Sequence, residues 1–193
     1  MNTAEILKEA VTALRAGGVI LYPTDTVWGI GCDATDPKAV ARVFEIKRRS
    51  EAKSLVLLAS DLDMVARYVR QIPNIAIDLV EVNDRPMTLI YPGAIQGPYG
   101  LAENAVAEDG SVGIRIPLPG FWRDLVARLG RPLVSTSANI SGEPTPKRFS
   151  EISEEIRGAV DYCVPASLER GSTGSASQII KVGLGGEVEI IRA

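Results

Sequence analysis

Two short stretches carry most of the side chains able to do chemistry. Ser135, Thr136, Ser137, Asn139 and Ser141 place five small hydroxyl and amide groups within seven positions, directly after the apolar pair Leu133-Val134. Such groups donate and accept hydrogen bonds at little cost in side-chain entropy. The same make-up recurs near the N-terminus, where Val19-Ile20-Leu21-Tyr22 runs into Pro23-Thr24-Asp25-Thr26. A lone cluster of this kind reads as a turn capping its own backbone. Two of them, each at the end of an apolar strand, read as two walls of one polar pocket.

Cations form the third candidate group. Lys47, Arg48, Arg49 and Lys53 fall within seven residues, at the end of one helical pattern and just before the strand-like Leu55-Val56-Leu57-Leu58. Ordinary helix termination explains them at ~0.3–1 kcal/mol per charge; a clamp for a polyphosphate explains them equally well. Arg115, between Ile114 and Ile116, reads as a snorkelling surface residue or as a buried anion-binding group. The chain contains no histidine, which excludes imidazole bases, Ser-His-Asp triads and histidine-ligated metals. A hydrolase built on Ser137 ranks last among the readings, because no histidine can activate its hydroxyl.

The elements that must position these groups alternate between helix and strand. Thr3 to Arg15 sets Ile6, Leu7, Ala10, Val11 and Leu14 on one stripe, closed by Gly17-Gly18. Asp36-Pro37 is an N-cap followed by a residue suited to the first turn, with Val40, Val43, Phe44 and Lys47 on one face. Helices are predicted over 62–69 and 75–82, a strand over 87–91, and another over 111–117. Phe121 to Leu129 is a helix stopped by Gly130, and Ser150 is the expected cap of the helix containing Ile152, Ile156 and Val160. Residues 94–110 show no period and read as a long loop, of the length often used for lids and binding loops. Gly171 to Ser177 reads as a linker or as a third wall of the site. The strands 178–182 and 187–192 form a hairpin across Gly183 to Gly186.

This pattern predicts one domain over residues 1–193, an α/β or α+β open twisted mixed sheet flanked by helices, with a concave cleft. The formal charge of −3 argues against holding nucleic acid by bulk charge. Cys32 and Cys163 lack metal-site spacing and read as small core residues. The N-terminus lacks the regions of a signal peptide, and no apolar run reaches membrane-spanning length, so a cytoplasmic protein is expected. Neither a Walker A sequence nor a Gly-x-Gly-x-x-Gly fingerprint is present.

Taken in order, Pro23-Thr24-Asp25-Thr26-Val27-Trp28-Gly29, Lys47-Arg48-Arg49 with Lys53, Val112-Gly113-Ile114-Arg115-Ile116-Pro117, and Ser135 to Gly142 resemble the YrdC-type threonylcarbamoyl-AMP synthase family, in its short single-domain form. The resemblance implies a YrdC-like twisted sheet with a large electropositive cavity. It also implies a nucleotidyltransferase that makes threonylcarbamoyl-AMP and pyrophosphate from L-threonine, bicarbonate and ATP, with Mg²⁺ accompanying the nucleotide. Downstream transfer proteins would then use the product to modify tRNA. By position, Thr26, Arg115, Ser135 and Ser177 match the family's L-threonine site. Lys47, Arg49, Lys53, Ser111, Ser137, Asn139, Thr145 and Arg192 match its ATP side; no residue is expected to bond covalently to substrate. The chain departs from the usual pattern at Trp28, at Ser50, at Lys53-Ser54, at Leu58 and over Asp84 to Leu89. A non-catalytic module holding double-stranded RNA or tRNA in the same basic cavity is the main alternative, and a carbamoyl-adenylate enzyme a lesser one.

Overall fold

In the computed structural model, which describes residues 1–50 and 55–193, the described strands make one mixed sheet in the order β7-β1-β2-β6-β3-β5-β4-β8-β9. These are β1 (Ile20–Tyr22), β2 (Gly29–Gly31), β3 (Val56–Leu58), β4 (Met87–Tyr91), β5 (Val112–Arg115), β6 (Leu133–Ser137), β7 (Tyr162–Cys163), β8 (Gln178–Val182) and β9 (Val188–Arg192). The pairs β1/β7, β3/β5 and β4/β8 are parallel, and the remaining neighbours are antiparallel. Mixed pairing of this kind follows from a chain in which helical crossovers alternate with hairpins.

The helices are α1 (Thr3–Arg15), α2 (Pro37–Lys47), α3 (Leu62–Tyr68), α4 (Asn74–Glu81), α5 (Phe121–Leu129) and α6 (Glu154–Ala159). In α1 the buried residues are the stripe Ile6, Leu7, Ala10, Val11 and Leu14 read from the sequence, and Asn2 with Glu5 closes a capping box at its start. Asp36 caps α2 through the amides of Lys38 and Ala39. Gly130 ends α5 in the left-handed region, φ 75°, where glycine alone is unstrained. Apolar side chains from α1 through β8 form one contiguous core. Among the described residues, no helix is long and apolar enough to cross a membrane.

Four features differ from the sequence reading. Strand β6 does not stop at Val134 but continues through Ser135, Thr136 and Ser137, because pairing with Val56, Ile30 and Gly29 supplies their backbone bonds. Strands β2 and β7 escape detection: β2 is Gly-Ile-Gly, whose composition carries no strand propensity, and β7 has two residues. Helix α6 begins at Glu154 with Ser153, not Ser150, as its cap, and Phe149–Glu151 forms a separate 3-10 turn. Residues 94–110 are no lid. Leu101 is fully buried, the Ala102 amide donates to the Ala34 carbonyl at 2.9 Å, and Asn104 Nδ2 donates to the Pro37 carbonyl at 3.0 Å, so the segment packs beneath α2.

Gly31 marks the tightest approach in the sheet. A Cβ there would lie 2.6 Å from both Tyr22 Cε1 and the Val134 carbonyl oxygen. Tyr22 is fully buried and its hydroxyl donates to that same carbonyl at 3.0 Å, so neither neighbour can give way. Gly31→Ala should therefore destabilise the fold by about 2–3 kcal/mol, read as a lower midpoint in urea unfolding with an unchanged slope.

Candidate active site

A cavity of about 480 Å³ has β2, β3, β5, β6, β8 and β9 contributing to its walls. Its lining includes Thr24, Thr26, Trp28, Arg49, Arg115, Ser135, Thr136, Ser137, Thr145, Lys147, Ser177 and Arg192. Four of these are cations and none is a carboxylate, so the cavity favours anionic groups.

The first wall is a polar turn folded on itself. Thr24 Oγ1 donates to the Val27 carbonyl at 2.7 Å and accepts from the Thr26 amide at 3.1 Å. Its one proton is thus used, and the 2.8 Å contact between the two threonine hydroxyls has Thr26 as donor. Thr26 Oγ1 in turn accepts from Arg115 Nη2 at 3.5 Å, which leaves one lone pair for a donor in the cavity. Asp25 turns inward, where its carboxylate pairs with Arg115 and accepts the Leu118 amide at 2.9 Å. Arg115 and Asp25 are 3% and 1% exposed. The buried form of Arg115 is therefore the one present, and it carries an internal counter-ion.

Gly171 to Ser177 forms the third wall. The Thr173 amide donates to the Asp25 carbonyl at 2.9 Å and the Gly174 amide to the Thr26 carbonyl at 2.8 Å, and the Ser172 hydroxyl also donates to the latter. Ser177 Oγ meets the buried Thr88 Oγ1 at 2.7 Å, and the Ser177 carbonyl accepts two bonds from the Arg192 guanidinium at 2.6 and 2.9 Å. On the far side, Glu169 accepts from Trp28 Nε1 at 2.7 Å and from the Phe149 amide at 2.6 Å. The Trp28 and Phe149 rings pack 5.1 Å apart, which holds the loop bearing Thr145 and Lys147 against the cavity.

The basic run at the end of α2 separates by role. Arg48 adopts the left-handed cap, φ 50°, and its side chain pairs with Glu155 at the surface. Arg49 enters the cavity, where burial lowers the pKa of its guanidinium. Lys47 lies beneath it, 2% exposed. Its ammonium donates to the Ser137 carbonyl at 2.5 Å and the Asn139 carbonyl at 2.8 Å. Burial, and then the charge of Arg49, pull its pKa down to about 8. Lys47 thus braces the end of β6 and does not line the cavity. Asn139 does the same from the other side, its amide donating to the Ile140 and Glu143 carbonyls.

Of the residues predicted for the site, Thr26, Arg49, Arg115, Ser135, Ser137, Thr145, Ser177 and Arg192 line one cavity. Lys47 and Asn139 shape the loop behind it. Ser111 stands apart, its amide and hydroxyl both on Asp109 at 2.9 and 2.6 Å. Lys53 lies outside the described residues. Thr24 and Thr136, members of the two hydroxyl clusters read from the sequence, line the cavity as well. Lys147 lines it without having been singled out: it follows two prolines, and no periodicity announces which way it faces.

The family model for Sua5/YciO/YrdC, described as telomere recombination, matches residues 12–193. The chain belongs to this family. Its relatives include a threonylcarbamoyl-AMP synthase of Stenotrophomonas maltophilia, 34% identical over 176 residues and 89% of each chain. Among solved structures it is similar to P. abyssi Sua5 complexed with L-threonine, at 26% identity and a TM-score of 0.83. That likeness covers 94% of this chain but 52% of the longer one. E. coli YciO, at 23% identity and a TM-score of 0.78, shares the fold over 99% of this chain.

The division between Lys47 and Arg49 can be measured. Lys47→Met leaves the Ser137 and Asn139 carbonyls without their donor and should cost about 2–4 kcal/mol of stability, read as a lower midpoint in thermal unfolding. In a lysine side-chain NMR titration Lys47 should titrate near 8, and Arg49→Ala should move it upward, since a neighbouring positive charge has been removed.

Proposed function

We propose that the protein is a threonylcarbamoyl-AMP synthase, joining L-threonine, bicarbonate and ATP with release of pyrophosphate. The observation that carries this reading is a single cavity lined by Thr26, Arg115, Ser135 and Ser177 together with Arg49, Ser137, Thr145 and Lys147. The names of its curated relatives and its likeness to a Sua5 holding L-threonine support it.

In the reaction the amine of threonine condenses with bicarbonate, losing water, to give a carbamate. A carbamate oxygen attacks the α-phosphorus of ATP, and the bond to the bridging oxygen breaks as pyrophosphate leaves with the electron pair. Arg115, which lines the cavity, holds the threonine carboxylate, and the remaining lone pair of Thr26 Oγ1 accepts from its amine. Ser135 and Ser177 orient the remainder of the amino acid. Arg49, Lys147 and Arg192, with the hydroxyls of Ser137 and Thr145, take the nucleotide and the charge that develops on the departing pyrophosphate. Positioning two anionic reactants and stabilising charge supply the acceleration, without a covalent intermediate.

Mg²⁺ belongs to this proposal as part of the nucleotide substrate. The cavity lining contains no carboxylate, and the described residues include no group of three or more acidic or cysteine side chains able to hold a metal. Its ligands would be phosphate oxygens and water, and it would neutralise phosphate charge. The same reading hands the adenylate to proteins that transfer the threonylcarbamoyl group to tRNA, in the cytoplasm.

Pyrophosphate release should require ATP, L-threonine and bicarbonate together, with L-serine a poorer replacement; release independent of threonine would overturn the assignment. Arg115→Lys keeps a charge beside Asp25 but loses the planar fork. It should raise the KM for threonine at least ~10-fold, about 1.4 kcal/mol, and leave that for ATP nearly unchanged.

A further inference from the structure

Asp25 lies directly behind the wall of the cavity and takes no part in the reaction described above. Both of its carboxylate oxygens are committed, one to Arg115 and the other to the Leu118 amide, and its own carbonyl accepts from Thr173. Its side chain cannot swing away from Arg115 without also giving up the Leu118 amide. Among the described residues Lys147 and Arg192, which line the same cavity, have no carboxylate within ion-pair distance. Among the described residues the cavity therefore sets Arg115, neutralised by Asp25, against Lys147 and Arg192, which no carboxylate neutralises.

This difference sorts ligands by charge. A buried guanidinium without a counter-ion attracts any anion, and a phosphate dianion more strongly than a carboxylate, because the interaction grows with charge in a medium of low dielectric. Paired with Asp25, Arg115 becomes the positive end of a buried dipole of zero net charge. Such an end suits a zwitterion, whose carboxylate and amine both find partners, and gives little net attraction to a polyphosphate. An enzyme that accepts an amino acid and a nucleotide in adjoining sites needs this distinction, since phosphate in the amino-acid site would block the reaction.

Resting on the synthase reading, we propose that Asp25 is a specificity-determining positioning residue, which reserves the Arg115 end of the cavity for a zwitterionic amino acid and closes it to phosphate and pyrophosphate. It touches no substrate and acts through Arg115.

The test is calorimetric titration of the whole protein with L-threonine and, separately, with ATP, each with and without inorganic phosphate. In the wild type, phosphate should weaken ATP binding and change the Kd for threonine by less than about twofold. In Asp25→Asn, threonine binding should weaken at least ~10-fold, and phosphate should now displace threonine competitively. A structural role alone would weaken threonine binding without admitting phosphate. Competition between phosphate and threonine in the wild type would overturn the proposal, as would a folded Asp25→Asn variant whose threonine binding is indifferent to phosphate. If that variant does not fold, the wild-type competition decides. A wild type that binds neither threonine nor ATP is a separate failure, which removes the synthase reading on which the proposal rests.

Discussion

The ion pair between Asp25 and Arg115 is the constraint around which the cavity is arranged. Both partners are almost completely withdrawn from solvent, and each would be costly there alone, since breaking a buried pair leaves an uncompensated charge worth about 3–5 kcal/mol. The pair also fixes geometry. Through Asp25 it ties the turn after β1 to the end of β5 and, by way of Leu118, to the segment entering α5. Through the carbonyls of Asp25 and Thr26 it reaches residues 172–174. Segments remote in sequence are thereby held around one space, and the side chain that lines the cavity is positioned by one that does not.

A second layer of buried polar groups works in the same way. Lys47 holds the carbonyls at the end of β6, and Glu169 holds Trp28 and the start of the Phe149 turn. Neither side chain lines the cavity, yet the loops that carry Ser137, Thr145 and Lys147 depend on them. This explains how a wall rich in Gly, Ser and Pro can present hydroxyls in fixed places: its backbone groups are bonded to the Lys47, Glu169 and Arg192 side chains and to the carbonyls of Asp25 and Thr26, so little ordering remains to be done when ligands arrive. Preorganised donors of this kind are what charge-stabilising catalysis requires.

The chemical character of the site follows from what lines it. There is no histidine in the chain and no carboxylate in the cavity lining, while guanidinium, ammonium, hydroxyl and backbone groups are abundant there. Such a set holds and orients anions, and stabilises charge on a leaving group, without itself exchanging protons near neutral pH. Transfer of an adenylyl group from ATP to a carbamate fits this set, because the nucleophile arrives already ionised.

Much of this was determined by local sequence. The stripe of α1, the Asp36-Pro37 start of α2, the Gly130 stop of α5 and the two hydroxyl clusters each rest on neighbours a few residues away, and the periodicity that places them is written in the chain. Membership of the site for Thr26, Arg115, Ser135 and Ser177 was legible through the order and spacing of their motifs. Tertiary structure alone decided the rest. The Gly-Ile-Gly strand exists because Ile20 to Tyr22 and Ser137 pair with it. Arg115 is buried at the cavity wall and not a snorkelling surface residue because Asp25, ninety residues earlier, meets it. Lys47 and Arg49, two positions apart, became a brace and a cavity cation because a left-handed residue at Arg48 turns the chain between them. In each case the deciding partner is distant along the chain or set by a backbone turn that composition does not encode, so no local pattern could have carried the answer.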